Sequence, residues 1–252
     1  MSARLEAVMF DAGGVLWDLE PPVEALFAAA LSRRGVTVDL AVLREAVKGA
    51  ERLLDEDFAR LEGGDEGAYW REYDGLVLGE LGVRVDVDEF ARELSREFRG
   101  VATREESWVP FPDAVPALEA VRGSGLRTCL ISNATELARR VLRRLDMERL
   151  FDVVVISEEV GVRKPDPRIF RIALDEAGVE PSEAVYLGDR PATDMVGATS
   201  AGMRAVLVDR RGTYPGAPYE RVDGLAGTED LLRRLRSRPA PGASGASGGS
   251  CR

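Results

Sequence analysis

The chain contains no histidine. That absence removes every mechanism built on imidazole: Ser-His-Asp and Cys-His nucleophile activation, histidine-ligated zinc and histidine general bases. Cysteine is nearly as scarce. Only Cys129 and Cys251 occur, too few for a disulfide framework; Cys129 lies in an apolar run and reads as a core residue. No stretch approaches the roughly 18 consecutive apolar residues of a membrane span. Arg4 and Glu6 interrupt the N-terminus where the apolar core of an export signal would stand. Basic residues number 34 against 44 acidic ones, a formal charge of −10, which disfavours nucleic acid as the main partner because phosphate backbones are bound by basic surfaces. The expectation is a soluble cytoplasmic protein with neither a nucleic-acid nor a membrane partner. Its chemistry must come from carboxylates, lysine, hydroxyls or a metal held by oxygen.

What is present is an alternation of elements. With 252 residues, 45% of them hydrophobic, the chain can bury one large domain with an inserted module. Residues 5–10 read as a short strand. From 21 to about 98 apolar residues recur at helical spacing, first over 23–31 and again over 40–54, with Gly63, Gly64 and Gly82 as punctuation. From Val109 the rhythm becomes strand and helix in turn. Strands are expected over 127–131, 151–156, 184–187 and 205–208. Helices are expected over 113–122 with Asp113 as N-cap, over 135–145, over 167–177 between Asp166 as N-cap and Gly178, and over 191–201. The fold class is therefore α/β: a Rossmann-like parallel sheet with helices on both faces, plus an inserted helical domain. The core comprises 1–16 and 109–236 and the helical cap 17–108. The Ser/Gly/Ala/Pro-rich end, 237–252, is read as a disordered tail.

Four short segments carry the chemistry. They are Phe10-Asp11-Ala12-Gly13-Gly14-Val15-Leu16, Leu130-Ile131-Ser132-Asn133, Arg163-Lys164-Pro165-Asp166-Pro167, and Leu187-Gly188-Asp189 with Asp194. Each is weak alone: a strand-end Asp caps turns, a Ser-Asn pair closes strands, and a Lys beside a helix start is usually solvated. Asp11, Ser132 and Asp189 each follow an expected parallel strand, however, and ligands bind at the carboxyl ends of such strands. One site would then hold a carboxylate nucleophile, a hydroxyl and amide, an ammonium and metal-binding carboxylates, a set suited to phosphoryl transfer. An anionic ligand needs a local reversal of charge, which a metal, Lys164 and Arg163 or Arg190 would supply.

In order and residue type these segments resemble the haloacid dehalogenase superfamily, over nearly the whole chain except the tail. The resemblance implies a magnesium-dependent phosphatase acting on a small phosphorylated metabolite through an aspartyl-phosphate, as a monomer or homodimer. It implies that Asp11 is the nucleophile. Asp11, the main-chain carbonyl of Gly13 and Asp189 would bind Mg2+, with Asp194 a ligand or close behind. Ser132, Asn133 and Lys164 would hold the phosphate, and Lys164 would also neutralise charge on Asp11. The helical insert would close as a lid; its aromatics Trp17, Phe58, Tyr69, Trp70 and Tyr73 are expected mostly to pack.

Gly13 departs from the pattern, because phosphatases of this superfamily carry there a second Asp that protonates the leaving oxygen. A main-chain carbonyl survives at Gly13 while proton transfer is impaired, and water or another carboxylate such as Asp18 would have to substitute. Three alternatives follow: a metal-free 2-haloacid dehalogenase-type hydrolase, which the Gly188-Asp189 pair disfavours; a non-catalytic binding or regulatory member of the fold; and a phosphomutase, which would also need the missing acid–base residue.

Overall fold

The computed structural model describes residues 4–56 and 66–237. The expected helical module and tail are therefore seen in part: Phe58, Gly63 and Gly64, and the tail beyond Ser237, lie outside the described residues. In chain order the elements begin with β1 (Ala7–Phe10) and β2 (Trp17–Leu19). The helices α1 (Val23–Ser32), α2 (Leu40–Glu56), α3 (Glu66–Glu80) and α4 (Val87–Ala102) follow, then β3 (Trp108–Pro110). The rest alternates: α5 (Ala114–Gly123), β4 (Arg127–Ser132), α6 (Leu137–Arg144), β5 (Val153–Ile156), α7 (Ser157–Val160), α8 (Pro167–Ala177), β6 (Ala184–Gly188), α9 (Val196–Ser200), β7 (Arg204–Val208), β8 (Glu220–Val222) and α10 (Thr228–Ser237).

Six strands form one parallel sheet in the order β5-β4-β1-β6-β7-β8. β1 lies in its interior, with Phe10 in register with Leu130 on one side and Leu187 on the other. Its four residues are all buried, and they alternate between faces as strand geometry requires. Val8 and Phe10 join Leu130, Val185 and Leu187 under α5, α6 and α10. Ala7 and Met9 join Cys129, Ile131 and Tyr186 under α8 and α9. Cys129 is a core residue, and burial pushes its thiol up to about 12. Each large side chain buried this way contributes roughly 1.5–3 kcal/mol, so the interior strands fix the sheet and leave the loops at its carboxyl edge free to specialise.

The helices from α1 to α4 pack on a core of their own, centred on Phe27 and Phe90, whose rings lie 4.8 Å apart, with Leu43, Val47, Val77 and Leu78. Two connections join this insert to the sheet. They pair with each other as the antiparallel ribbon β2–β3, Trp17 opposite Pro110 and Leu19 opposite Trp108.

Two local expectations change. Asp113 stands at the start of α5 without capping it, because its carboxylate accepts from Arg210 Nη2 (2.7 Å) and from the Leu225 amide (2.7 Å). Asp166 does cap α8, accepting from the Arg168 amide at 2.9 Å, and Gly178 ends it in a left-handed conformation at φ 64°. The helix expected over 191–201 opens instead with a wide π turn, Pro191–Met195, before α9 begins. π turns cluster at functional sites, and this one carries Asp194 inward.

Candidate active site

Asp11 leaves β1 at the middle of the carboxyl edge, its amide held by the Leu187 carbonyl at 2.9 Å. The chain then reverses tightly: Leu16 and Trp17 donate to the Ala12 carbonyl, and Gly14 donates to the Trp17 carbonyl. Gly14 must be glycine on two counts. Its φ is +72°, and a Cβ there would lie 2.2 Å from Asp189 Oδ2. Gly188 is likewise fixed by proximity, since its Cβ would fall 2.5 Å from the Asp194 side chain. Gly13 is different: a Cβ there meets nothing within 4 Å.

Lys164 is buried, 3% exposed, and joins the two sides of the site. Its ammonium lies 2.8 Å from Asp11 Oδ1 and 2.7 Å from Asp194 Oδ1, and donates to the Tyr186 hydroxyl at 2.9 Å. Burial opposes that charge, but Asp11 and Asp194 outweigh it and hold the ammonium pKa above its ordinary value. Asn133 fastens the same loop, donating from Nδ2 to the Lys164 carbonyl (2.9 Å) and accepting the Lys164 amide on Oδ1 (2.7 Å). Ser132 closes β4 beside it, 5% exposed.

Asp194 is completely enclosed. Oδ1 takes Lys164 and the Tyr186 hydroxyl, and Oδ2 takes the amides of Asp189 (3.1 Å) and Arg190 (2.9 Å). Asp11, Asp189 and Asp194 each offer an oxygen within 4.8 Å of the others'. Burial first, then the charge of Asp194 and Asp11, raises the Asp189 pKa well above the usual carboxylate range. Burial also lifts Asp11 to about 6 against the pull of Lys164. Three carboxylates share the one ammonium of Lys164, so the cluster carries surplus negative charge confined by low-dielectric walls.

The sheet's carboxyl edge thus brings together Asp11, Lys164, Asp189 and Asp194, with Gly13 on the loop after Asp11 and Asn133 fixing the lysine. Arg190, proposed from sequence to offset anionic charge, turns to the insert: its guanidinium meets Asp55 Oδ1 at 2.6 Å and the Tyr69 hydroxyl at 3.2 Å. Asp18 pairs with Arg211 at 3.2 Å, and Glu24 and Glu51 approach the same guanidinium at 3.4 and 3.5 Å. A cavity of about 350 Å³ lies between these groups and Asp189. Tyr186, Asp55, Glu51, Arg211 and Tyr214, whose hydroxyl donates to Asp55, carry no motif in the sequence. Tyr186 sits in an unbroken apolar run, and a hydroxyl in such a run is the sole sign it gives; the others announce themselves only once the insert folds against the core.

The family profile described as haloacid dehalogenase-like hydrolase matches residues 5–202. A phosphoserine phosphatase of Thermus thermophilus is 44% identical over 137 residues, which cover 54% of this chain and 53% of that protein, so the match spans about half the relative's length. A haloacid dehalogenase-like hydrolase domain-containing protein of Xenopus laevis is 30% identical over 244 residues, covering 93% of this chain and 96% of that one. Among solved structures, a HAD-hydrolase of Bacillus subtilis bound to magnesium shares the fold at a TM-score of 0.65 and 17% identity, over 92% of this chain and 99% of that one. No helix among the described residues is long and apolar enough to cross a membrane.

Proposed function

The chain belongs to the haloacid dehalogenase-like hydrolases, and from that premise we propose that it is a magnesium-dependent phosphatase of a small phosphate monoester. The observation that carries this reading is the carboxylate cluster of Asp11, Asp189 and Asp194 wrapped around Lys164. The donors fit the ion: all are hard oxygens, as Mg2+ prefers, and the surplus negative charge is what a divalent cation would balance. Asp11, Asp189 and the Gly13 carbonyl would hold it. Asp194, whose two oxygens already accept four donors, would order the ligands and the lysine. When bound, the ion supplies charge neutralisation between the phosphoryl group and the carboxylates.

The chain's own residues would do the rest. Lys164 holds Asp11 Oδ1, which directs the remaining oxygen at phosphorus. That oxygen bonds to phosphorus as the ester oxygen departs with its electron pair, giving an aspartyl-phosphate. Water then attacks the same phosphorus, releases inorganic phosphate and restores Asp11. Ser132, whose hydroxyl has no hydrogen-bond partner among the described residues, and the main chain at Asn133 would receive the phosphoryl oxygens. The helical insert would cover the site as a lid, with Arg190–Asp55 as one clasp. Three converging carboxylates favour a metal enzyme over a metal-free dehalogenase.

The test is phosphate release from p-nitrophenyl phosphate in magnesium, with and without EDTA. Turnover that needs magnesium and vanishes in Asp11→Asn supports the reading; turnover indifferent to both, or halide release from a haloacid without metal, overturns it. A second variant probes the cluster itself. Gly14→Ala forces Asp189 aside, and displacing a ligand's support weakens metal affinity by roughly 10–100-fold. A magnesium titration of activity should move by that factor while the far-UV spectrum stays unchanged.

A further inference from the structure

A second cavity lies wholly within the helical insert, away from the carboxylate cluster. It encloses about 410 Å³ between the start of α1, α3 and α4, within the range of about 300–1,000 Å³ that small-ligand sites occupy. Its walls are mostly apolar and aromatic, with Val23, Trp70, Tyr73, Leu94 and Phe98. Trp70 is the hub, with its ring 5.7 Å from Tyr73 and 5.9 Å from Phe98. Into this cavity the fold places a carboxylate, Asp74, 3% exposed.

The Asp74 carboxylate has no hydrogen bond and no ion pair among the described residues. Arg99 lines the same cavity but donates to Ser95 Oγ at 2.8 Å instead. Burial alone raises the Asp74 carboxyl to about 7. A buried carboxylate without a partner is strongly unfavourable, and an apolar residue would fill the position without that cost. A partner from outside the chain resolves the conflict, and the walls define its chemistry. Aromatic faces attract cations. A lone carboxylate offers too few oxygens for a divalent metal. An anion would face Asp74, and the Arg99 guanidinium on the same walls is turned to Ser95.

We propose that this cavity is a binding site for a small organic cation, an amine with an apolar body, anchored by Asp74 and enclosed by Trp70, Tyr73 and Phe98. The site is separate from the phosphatase reading and stands whether or not that reading holds.

The experiment uses the full chain at pH 8 and three probes of one shape: benzylamine, benzyl alcohol and benzoate. Binding is followed by tryptophan fluorescence and by thermal stability, with and without magnesium. Benzylamine should bind roughly tenfold or more tighter than benzyl alcohol, with benzoate weakest. Asp74→Asn should erase the preference for the amine, and Trp70→Phe should erase most of the fluorescence change. Three results overturn the proposal: equal binding of amine and alcohol or no binding of either, an amine preference that survives Asp74→Asn, or amine binding that magnesium abolishes, which would assign the amine to the carboxylate cluster instead.

Discussion

Gly13→Asp will raise turnover of alkyl phosphates by roughly 10²–10⁴-fold, the range that general acid–base catalysis supplies, while p-nitrophenyl phosphate gains little. The difference between the two substrates follows from the leaving group. A nitrophenolate departs without a proton, whereas an alkoxide needs one delivered as the ester bond breaks. Nothing now on the loop after Asp11 can deliver it. Asp18, the next carboxylate along the chain, is engaged by Arg211. The substitution is also sterically free: a Cβ at position 13 meets nothing within 4 Å, and Gly13 is not among the positive-φ residues. Its neighbour is the opposite case, since Gly14 has φ +72° and presses on Asp189. Steady-state kinetics on both substrate types decide the matter. The pH–rate profile of the variant should also gain a limb from the new carboxyl group. An equal gain on both substrates would mean that position 13 acts on binding rather than on proton transfer. No gain on either would mean that the side chain does not face the leaving group.

Sequence carried the fold further than it carried the site. Buried parallel strands write themselves as apolar runs, which is why β4, β5 and β6 could be read, and the Asp166-Pro167 start and Gly178 end of α8 have fixed local chemistry. β8 escaped because its three residues, Glu220, Arg221 and Val222, form an edge strand with no apolar run. The turn at Pro191–Met195 escaped because a π turn and an α turn share one apolar pattern; the difference lies in where Asp194 must go. In the site, Asp11 and Asp189 could be singled out because each follows a recognisable strand, and Lys164 and Asp194 because each stands beside a recognisable helix start. The role of Asn133 could not, since its side chain is used up on the Lys164 backbone 31 residues along the chain. Contacts such as Arg190–Asp55, 135 residues apart, have no local signature, because both residues also fit an ordinary solvated helix face or loop.

Asp74→Asn will stabilise the protein, and by an amount that grows with pH. The native carboxyl, raised to about 7 by burial, compares with 3.8 for an exposed aspartate. The folded state therefore binds the proton more tightly than the unfolded state does. Below the unfolded value both states are protonated and Asp74 carries no charge penalty. As pH rises from there through 7 the unfolded chain ionises first, and stability falls. Above 7 the penalty is complete, at about 4 kcal/mol for a shift of this size. Asparagine has the same shape and cannot ionise, so it matches the protonated wild type at low pH and escapes the penalty at high pH. Denaturant unfolding at pH 5 and pH 8 should show the gap between variant and wild type widening by roughly 2–3 kcal/mol. A gap that stays constant across that interval would mean that the carboxylate is solvated or paired in the folded chain, and would remove the electrostatic need for a cation in the cavity. A widening gap that closes when benzylamine is added to the wild type at pH 8 would tie the two effects to one group, because a bound ammonium compensates the same charge that asparagine removes.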